Sequence, residues 1–408
     1  MTDIGRVVDA VWRIESARIV ATLAKMTGDV GLAEDLAQEA LVDALTQWPE
    51  SGVPRNAGAW LTAVAKHKAI DAWRRRERLD ERYRAIAHDL SETTDDEWQP
   101  IDDDVVRLVF TACHPVLSRE SQVALTLRVV AGLTTGEIAR LLLVPVATVQ
   151  QRIVRAKKTL SAARVPFEAP DPGEWTARLG AVLGVVYLVF TEGYAATSGD
   201  RWMRTEIARE ALRLGRVLAE LLPREPEVHG LVALMELQSS RFAARLDRDG
   251  IPILLADQDR ARWDRAQIER GRAALERADA VGRGRGNYAL QAAIAECHAI
   301  AVSVDETDWE RIVVLYEALG RIAPSPVVEL NRAVAVSMAT GPATALLIVD
   351  RLVAEGALRG SHLLPGVRGE LLARLGRTEE ARSELAAAAA LAGNQRTSAL
   401  LRAKAAAL

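Results

Sequence analysis

Pro145 divides an otherwise helical stretch. It has no amide hydrogen to donate and fixes its own φ, so it suits the first turn of a new helix rather than the interior of an old one. The segment from Ala131 to Leu160 must therefore be two short helices with a turn near Leu143 and Val144. Before the turn, Thr134 can cap the first helix while Glu137, three residues on, completes a capping box. Ile138, Ala139 and Leu142 supply its buried side. After the turn, Val149, Ile153, Ala156 and Leu160 recur at spacings of three and four and form a core-facing stripe. Thr148, Gln151, Arg152 and Arg155 then face outward, followed by Lys157 and Lys158, and this second helix carries no acidic residue. Amide and guanidinium groups near a helix N-terminus suit the donors and acceptors on base edges in a major groove, whereas ammonium groups suit phosphates. The pattern is a helix-turn-helix. Taken alone, it also describes an amphipathic hairpin with a solvated basic face.

The rest of the 408 residues favours two or three domains, and 49% hydrophobic residues suffice for sizeable cores. Aromatics make up 4%, while alanine, leucine and arginine abound, so propensity points to an all-α chain. The net charge of −3 hides basic clusters separated by an acidic run. Cys113 and Cys297 are too far apart in sequence to suggest a disulfide or metal framework, which fits a reducing compartment; no cofactor and no metal is expected. The N-terminus lacks a signal-peptide core, and no apolar run reaches the roughly 18 residues of a membrane span. A cytoplasmic protein with no membrane partner is expected. Ala181–Phe190, the most apolar stretch, is a helix of core length.

In chain order, a first helix runs from Ile4 to Met26 and ends at the turn Thr27-Gly28-Asp29. A second starts near Leu32 with an apolar stripe ending in Trp48; its opposite face holds Glu34, Asp35, Gln38, Glu39 and Asp43. Trp48–Asn56, with two prolines and a glycine, reads as a shaped loop. A third helix from about Ala57 ends in Arg74-Arg75-Arg76, and from Lys66 to Arg84 eight basic residues oppose four acidic ones, a surface suited to phosphates. Asp89–Asp104 has eight acidic residues and no basic one. It reads either as a solvated tether or as a nucleic-acid mimic for a basic channel. Helices resume at Val105, and Ser118 is placed to cap the helix that leads into the helix-turn-helix. Three prolines in Val165–Gly173 mark a second boundary, and everything beyond reads as a separate module of amphipathic helices. Within it, Leu371–Ala381 resembles the helix end and turn of a tetratricopeptide-type repeat, with an echo at Ala339–Ala345. For Trp175 to about Gly286 a non-repetitive bundle fits better.

These features together resemble a bacterial RNA polymerase sigma factor of the extracytoplasmic-function type. Ala33–Leu41 and Ala59–Ala65, ending in Ala69-Ile70-Asp71 and the arginines, are similar to that family's region two, and the helix-turn-helix to its region four. Phe190–Tyr194 and Leu255–Arg260 resemble the subgroup with a long C-terminal helical-repeat extension. The resemblance implies a region-two-like domain at 1–88, an acidic linker at 89–104, a region-four-like domain at 105–165 and a C-terminal helical domain at 171–408. It implies that Asp35, Gln38, Glu39 and Asp43 dock on the β′ coiled coil of core RNA polymerase, with the β flap as a further contact. Arg55, Asn56, Lys66, His67, Arg74, Arg75 and Arg76 would serve the minus-10 element, where strand melting calls for a loop that receives an unstacked base. Thr148, Gln151, Arg152 and Arg155 would read the minus-35 element, with Lys157 and Lys158 on phosphates. His67 departs from the asparagine of many relatives, which weakens the inference there. The C-terminal repeats would receive a protein partner or regulate the sigma domains.

Two other classes fit less of the chain. A polymerase-independent regulator with a helical-repeat sensor accounts for the helix-turn-helix but not for the acidic face or the proline-bounded loop. An enzyme would have to rest on Asp257, Asp259 and Asp264, or on Glu192 beside Tyr194, with no nucleotide loop, metal spacing or triad. Helix capping is the simpler role for Asp257 and Asp259.

Overall fold

The computed structural model describes residues 3–77, 102–142, 144–171, 173–194, 203–248, 251–393 and 395–408. Among them are eighteen α-helices and no strand. Most of the acidic stretch 89–104 lies outside the described residues, as does Leu143 in the expected turn. The chain forms two compact units, Met1–Val185 and Val186–Leu408.

The first unit opens with α1 (Asp3–Thr27), α2 (Val30–Ser51) and α3 (Ala57–Glu77). Gly28 ends α1 at φ +67°, a conformation that favours a residue without Cβ. Asp29 then caps α2, its carboxylate accepting from the amides of Gly31 at 2.7 Å and Leu32 at 3.0 Å. Helix α2 continues through Pro49 to Ser51, so the shaped loop is shorter than expected and begins at Gly52. Proline removes one hydrogen bond, but so close to the helix end the loss is small. Trp48 is fully buried and meets Trp60 edge-to-face at 5.4 Å, which ties α2 to α3.

Four helices follow: α4 (Asp102–Ala112), α5 (Arg119–Val129), α6 (Thr135–Leu142) and α7 (Val146–Ala162). Helix α4 starts at Asp102, three residues before the expected Val105. Ser118 caps α5 as expected. The unit does not stop at the prolines of Val165–Gly173. It takes in the first half of α8 (Trp175–Tyr194), where the Trp175 ring lies 4.9 Å from Phe110 and Arg178 Nη2 donates to the Phe110 carbonyl at 3.1 Å. The prolines break a helix without ending the packed body.

The second unit continues with α9 (Thr205–Leu221), α10 (Pro226–Ser239), α11 (Arg265–Ala280), α12 (Asn287–Ile300), α13 (Trp309–Ile322), α14 (Pro326–Ala339), α15 (Pro342–Ala354), α16 (Leu363–Arg374), α17 (Thr378–Leu391) and α18 (Gln395–Ala406). Helix α10 is buried almost all round and packs against α9, α11 and α12. A helix buried on every side sits at the centre of a bundle, and its buried Glu236 is paired with Arg216 at 2.5 Å. From α13 onward each helix packs on the next as a series of hairpins, with Leu330, Val349, Leu352, Leu372 and Ala381 in the shared core. Asp259 and Asp264 are caps, accepting from the amides of Ala261 and Gln267 at 3.0 Å each. Cys113 and Cys297 are buried free thiols.

Helices α10 and α12 cross at Gly230, where a Cβ would lie 2.6 Å from the Ala289 nitrogen. In α13, by contrast, a Cβ on Gly320 meets nothing within 4 Å. Gly230→Ala is therefore expected to destabilise the second unit by about 1–3 kcal/mol through overpacking. Gly320→Ala should stabilise it by about 0.5–1 kcal/mol by lowering backbone entropy in the unfolded chain. Urea midpoints of the two variants measure both signs.

Arg260 closes the C-terminal end of α12. Its Nη1 donates to the carbonyls of His298 and Ala301, both at 2.7 Å, and its Nη2 to Thr307 Oγ1 at 3.2 Å. Burial, with the nearby Arg241 and Arg260 cations, pushes the His298 imidazole down to about 4. A histidine depressed in the folded state binds fewer protons there than in the unfolded chain. The second unit should then lose stability as pH falls from about 6.5 towards about 4, and no further below it, by up to about 3 kcal/mol. His298→Phe should flatten that part of the stability-versus-pH curve.

Candidate nucleic-acid interface

The capping box forms at the start of α6. The Thr134 amide donates to Glu137 Oε2 at 2.8 Å, and the Glu137 amide donates to Thr134 Oγ1 at 3.2 Å. Burial works against the Glu137 charge, but these hydrogen bonds and Arg13 hold its carboxyl below the usual range. Pro145 occupies the N-cap position of α7. The stripe Val149, Ile153, Ala156 and Leu160 is buried, against Ile138 and Ala139 of α6 and the core of α5. Gln151, Arg155 and Lys158 are exposed along the opposite side of α7, with Thr148 and Arg152 half-buried beside them.

On α2, Asp35 and Glu39 are exposed while Gln38 and Asp43 are half-buried. Lys68 of α3 reaches this face, its Nζ 2.9 Å from Asp43 Oδ2 and 3.5 Å from Glu39 Oε2. The hydrogen bond to Asp43 and the charge of the two carboxylates raise its pKa despite some desolvation. Beyond the loop, Arg55 and Asn56 are exposed, and Asn56 Oδ1 caps α3 by accepting from the Ala59 amide at 3.0 Å. Lys66 and His67 are exposed on α3. Arg74, Arg75 and Arg76 belong to its last turns, and their side chains lie outside the described residues.

Two residues depart from their expected places. Glu34 is not on the solvated face of α2: it is 4% exposed and accepts from two cations, Arg128 Nε at 2.8 Å and Lys157 Nζ at 2.5 Å. Lys157 is not free for phosphate, since its side chain is only 15% exposed and it also donates to Asp35 Oδ1 at 2.8 Å. Burial opposes the Lys157 charge, but the Glu34 and Asp35 carboxylates outweigh it and lift the pKa. Arg128 donates in addition to the Leu133 carbonyl at 3.1 Å, and Arg13 Nη2 of α1 reaches Glu137 Oε1 at 2.5 Å. Nothing local in the sequence marks Arg128. An acidic residue one position out of register with the solvated face was the available sign for Glu34.

Residues 13–79, spanning α1 to α3, match Sigma-70 region 2, and residues 107–160, spanning α4 to α7, match Sigma-70, region 4. Residues 178–279 match a family of unknown function, DUF6596. The two sigma-70 domains in this order define the chain as a sigma factor, a non-enzymatic, DNA-binding transcription initiation protein. It belongs to the same family as the uncharacterized protein R00370 of Rhizobium meliloti (strain 1021), with 43% identity over 414 residues, covering 98% of this chain and 96% of that one. It is also 29% identical over 164 residues to the probable ECF RNA polymerase sigma factor SigI of Mycobacterium tuberculosis, in strains CDC 1551 / Oshkosh and ATCC 25618 / H37Rv. That match spans 39% of this chain and 56% of SigI. No solved structure matches the chain. No helix among the described residues is long and apolar enough to cross a membrane.

The cluster makes a graded prediction. Glu34→Ala leaves Arg128 without a carboxylate and Lys157 with Asp35 alone, and should cost about 3 kcal/mol, the low end of the range for breaking a buried pair. Asp35→Ala, at a side chain 67% exposed, should cost no more than about 1 kcal/mol. Urea unfolding of the two variants measures the difference.

Proposed function

We propose that this sigma factor binds core RNA polymerase through the acidic face of α2 and directs it to promoters through α3 and α7. The observation that supports this best is the exposed amide and guanidinium face of α7, Gln151 and Arg155, held on a helix whose other side is fully packed. A rigid support lets such groups discriminate base edges, and Lys158 beside them suits a phosphate. On α2, Asp35, Gln38, Glu39 and Asp43 supply the docking face for the β′ coiled coil, and the β flap would contact region 4. Arg55, Asn56, Lys66, His67 and the Arg74–Arg76 run would serve the minus-10 element. To receive a base there, Asn56 would have to share or release its cap on α3. The second unit is the regulatory part, its hairpins α13 to α18 read as tetratricopeptide-like repeats that take a protein partner.

Run-off transcription with core polymerase on candidate promoters tests this reading. Gln151→Ala or Arg155→Ala should each cost about 1–3 kcal/mol of discrimination at the base pair it reads. Lys158→Ala should weaken binding evenly across sequences and lower the salt slope by about 1. A chain ended after Val185 keeps Trp175 and Arg178 against Phe110, and it should initiate with altered regulation in cells. Tight, specific promoter binding without any association with core would favour a polymerase-independent regulator instead.

A further inference from the structure

We propose that Arg241, Arg245 and Arg260, set on the rings of Tyr194 and Trp263, form an anion site in the second unit that takes a phosphoryl dianion, as inorganic phosphate or a small phosphate monoester. The site depends on no promoter or polymerase assignment. Tyr194 ends α8, the three arginines and Trp263 lie in the connection between α10 and α11, and His298 of α12 stands beside them. Both segments that stand apart in the sequence, Phe190–Tyr194 and Leu255–Arg260, end here. The connection folds back on itself, with the Ile253 amide donating to the Arg245 carbonyl at 2.8 Å and the Asp264 amide to the Ser240 carbonyl at 2.9 Å. That return brings Arg260 and Trp263 alongside Arg241.

The Arg241 guanidinium carbon lies 5.8 Å from the centre of the Tyr194 ring and 6.0 Å from that of Trp263. Arg245 covers the Tyr194 ring at 3.4 Å, and Arg260 the Trp263 ring at 5.0 Å. Arg245 and Arg260 are buried and Arg241 is half-buried, so an anion from solvent meets Arg241 first. Burial first, and the neighbouring Arg241 charge with it, depress Arg245, Arg260 and the His298 imidazole. Glu236, buried in the same unit, has Arg216 and Arg270 as counter-ions. Arg260 instead donates to two carbonyls and a hydroxyl, and Arg241 to the Tyr194 hydroxyl; neither meets a carboxylate among the described residues. Two buried ring nitrogens of the cluster, Trp263 Nε1 and His298 Nδ1, have no hydrogen-bond partner among the described residues either. Trp263 is 3% exposed, and an indole N–H can only donate. Donors gathered without an acceptor are what an oxyanion completes. A guanidinium fork holds two phosphate oxygens at once, and a charge of about −2 offsets grouped cations better than the single charge of a carboxylate.

The test is calorimetric titration of the full chain with inorganic phosphate, phenyl phosphate and acetate at constant ionic strength. Phosphate should bind at a single site and raise the midpoint of thermal unfolding, because a ligand held only by the folded chain stabilises it. Arg241→Met keeps the stem and removes the fork, and it should weaken phosphate about tenfold or more. Arg241→Lys keeps the charge without the fork and should fall between that variant and the parent. Trp263→Phe, a milder change that removes only the indole N–H and its ring, should weaken phosphate several-fold. Arg321→Ala, at an exposed arginine of α13, should leave binding unchanged. Phenyl phosphate binding tighter than phosphate marks an ester as the ligand, and equal or weaker binding marks the free ion; both uphold the site. A parent chain that binds no phosphate overturns it, and that titration needs no variant to fold. Acetate bound as tightly as phosphate also overturns it, as do Arg241→Met and Trp263→Phe chains that bind phosphate like the parent.

Discussion

A carboxylate withdrawn from water must be given cations, and Glu34 has two. Much of the first unit depends on that requirement. Helix α2 must start where Asp29 can cap it, so that Gly31 presents no side chain to α7. Helix α5 must place Arg128 within 2.8 Å of one oxygen, and α7 must lay Lys157 along the other. Removing Glu34 leaves the Arg128 charge buried without a carboxylate, which costs more than the assembled cluster contributes. The cluster therefore fixes geometry, while the apolar stripes of α5, α6 and α7 supply the stability.

The second unit meets the same requirement at helix ends. Its central helix α10 has no solvated face, so the polar groups buried around it must find hydrogen-bond partners within the protein. Arg260 does this by donating to carbonyls at the end of α12, where the helix dipole favours a cation. Glu227 does the converse at the start of α12, accepting from the amides of Tyr288 at 2.7 Å and Ala289 at 3.2 Å. Burial raises its pKa against those hydrogen bonds. One helix is thus held at both ends by charged side chains from elsewhere in the chain, and Gly230 lets α10 approach it closely.

What was legible in the sequence was what is local. The capping box of Thr134 and Glu137, the break at Pro145 and the buried stripe of α7 all follow from spacings within a few residues, and all are present. Asp259 is a cap for the same reason, whereas Asp257 ends a short turn that has no side-chain cap. Glu34 was misplaced because its partner Arg128 is 94 residues away and no periodicity links them. Lys157 lies one position from the exposed Lys158, and only the packing of α7 on α2 tells them apart. The prolines of Val165–Gly173 do break the helix. The contact of Trp175 with Phe110, which carries the first unit on to Val185, is tertiary and left no local trace.

A chain that carries an acidic face on α2 and a basic face on α7 faces a consequence of simple electrostatics. The two surfaces are complementary to each other. Joined in one chain they meet at an effective concentration of order millimolar, well above that of any external partner at low abundance. Exposed pairs alone would not hold them, since salt screens such charges over about 8–10 Å. Burying Glu34 between Arg128 and Lys157 removes part of the contact from that screening. The Asp35–Lys157 pair beside it, exposed on the Asp35 side only, keeps more of that screening.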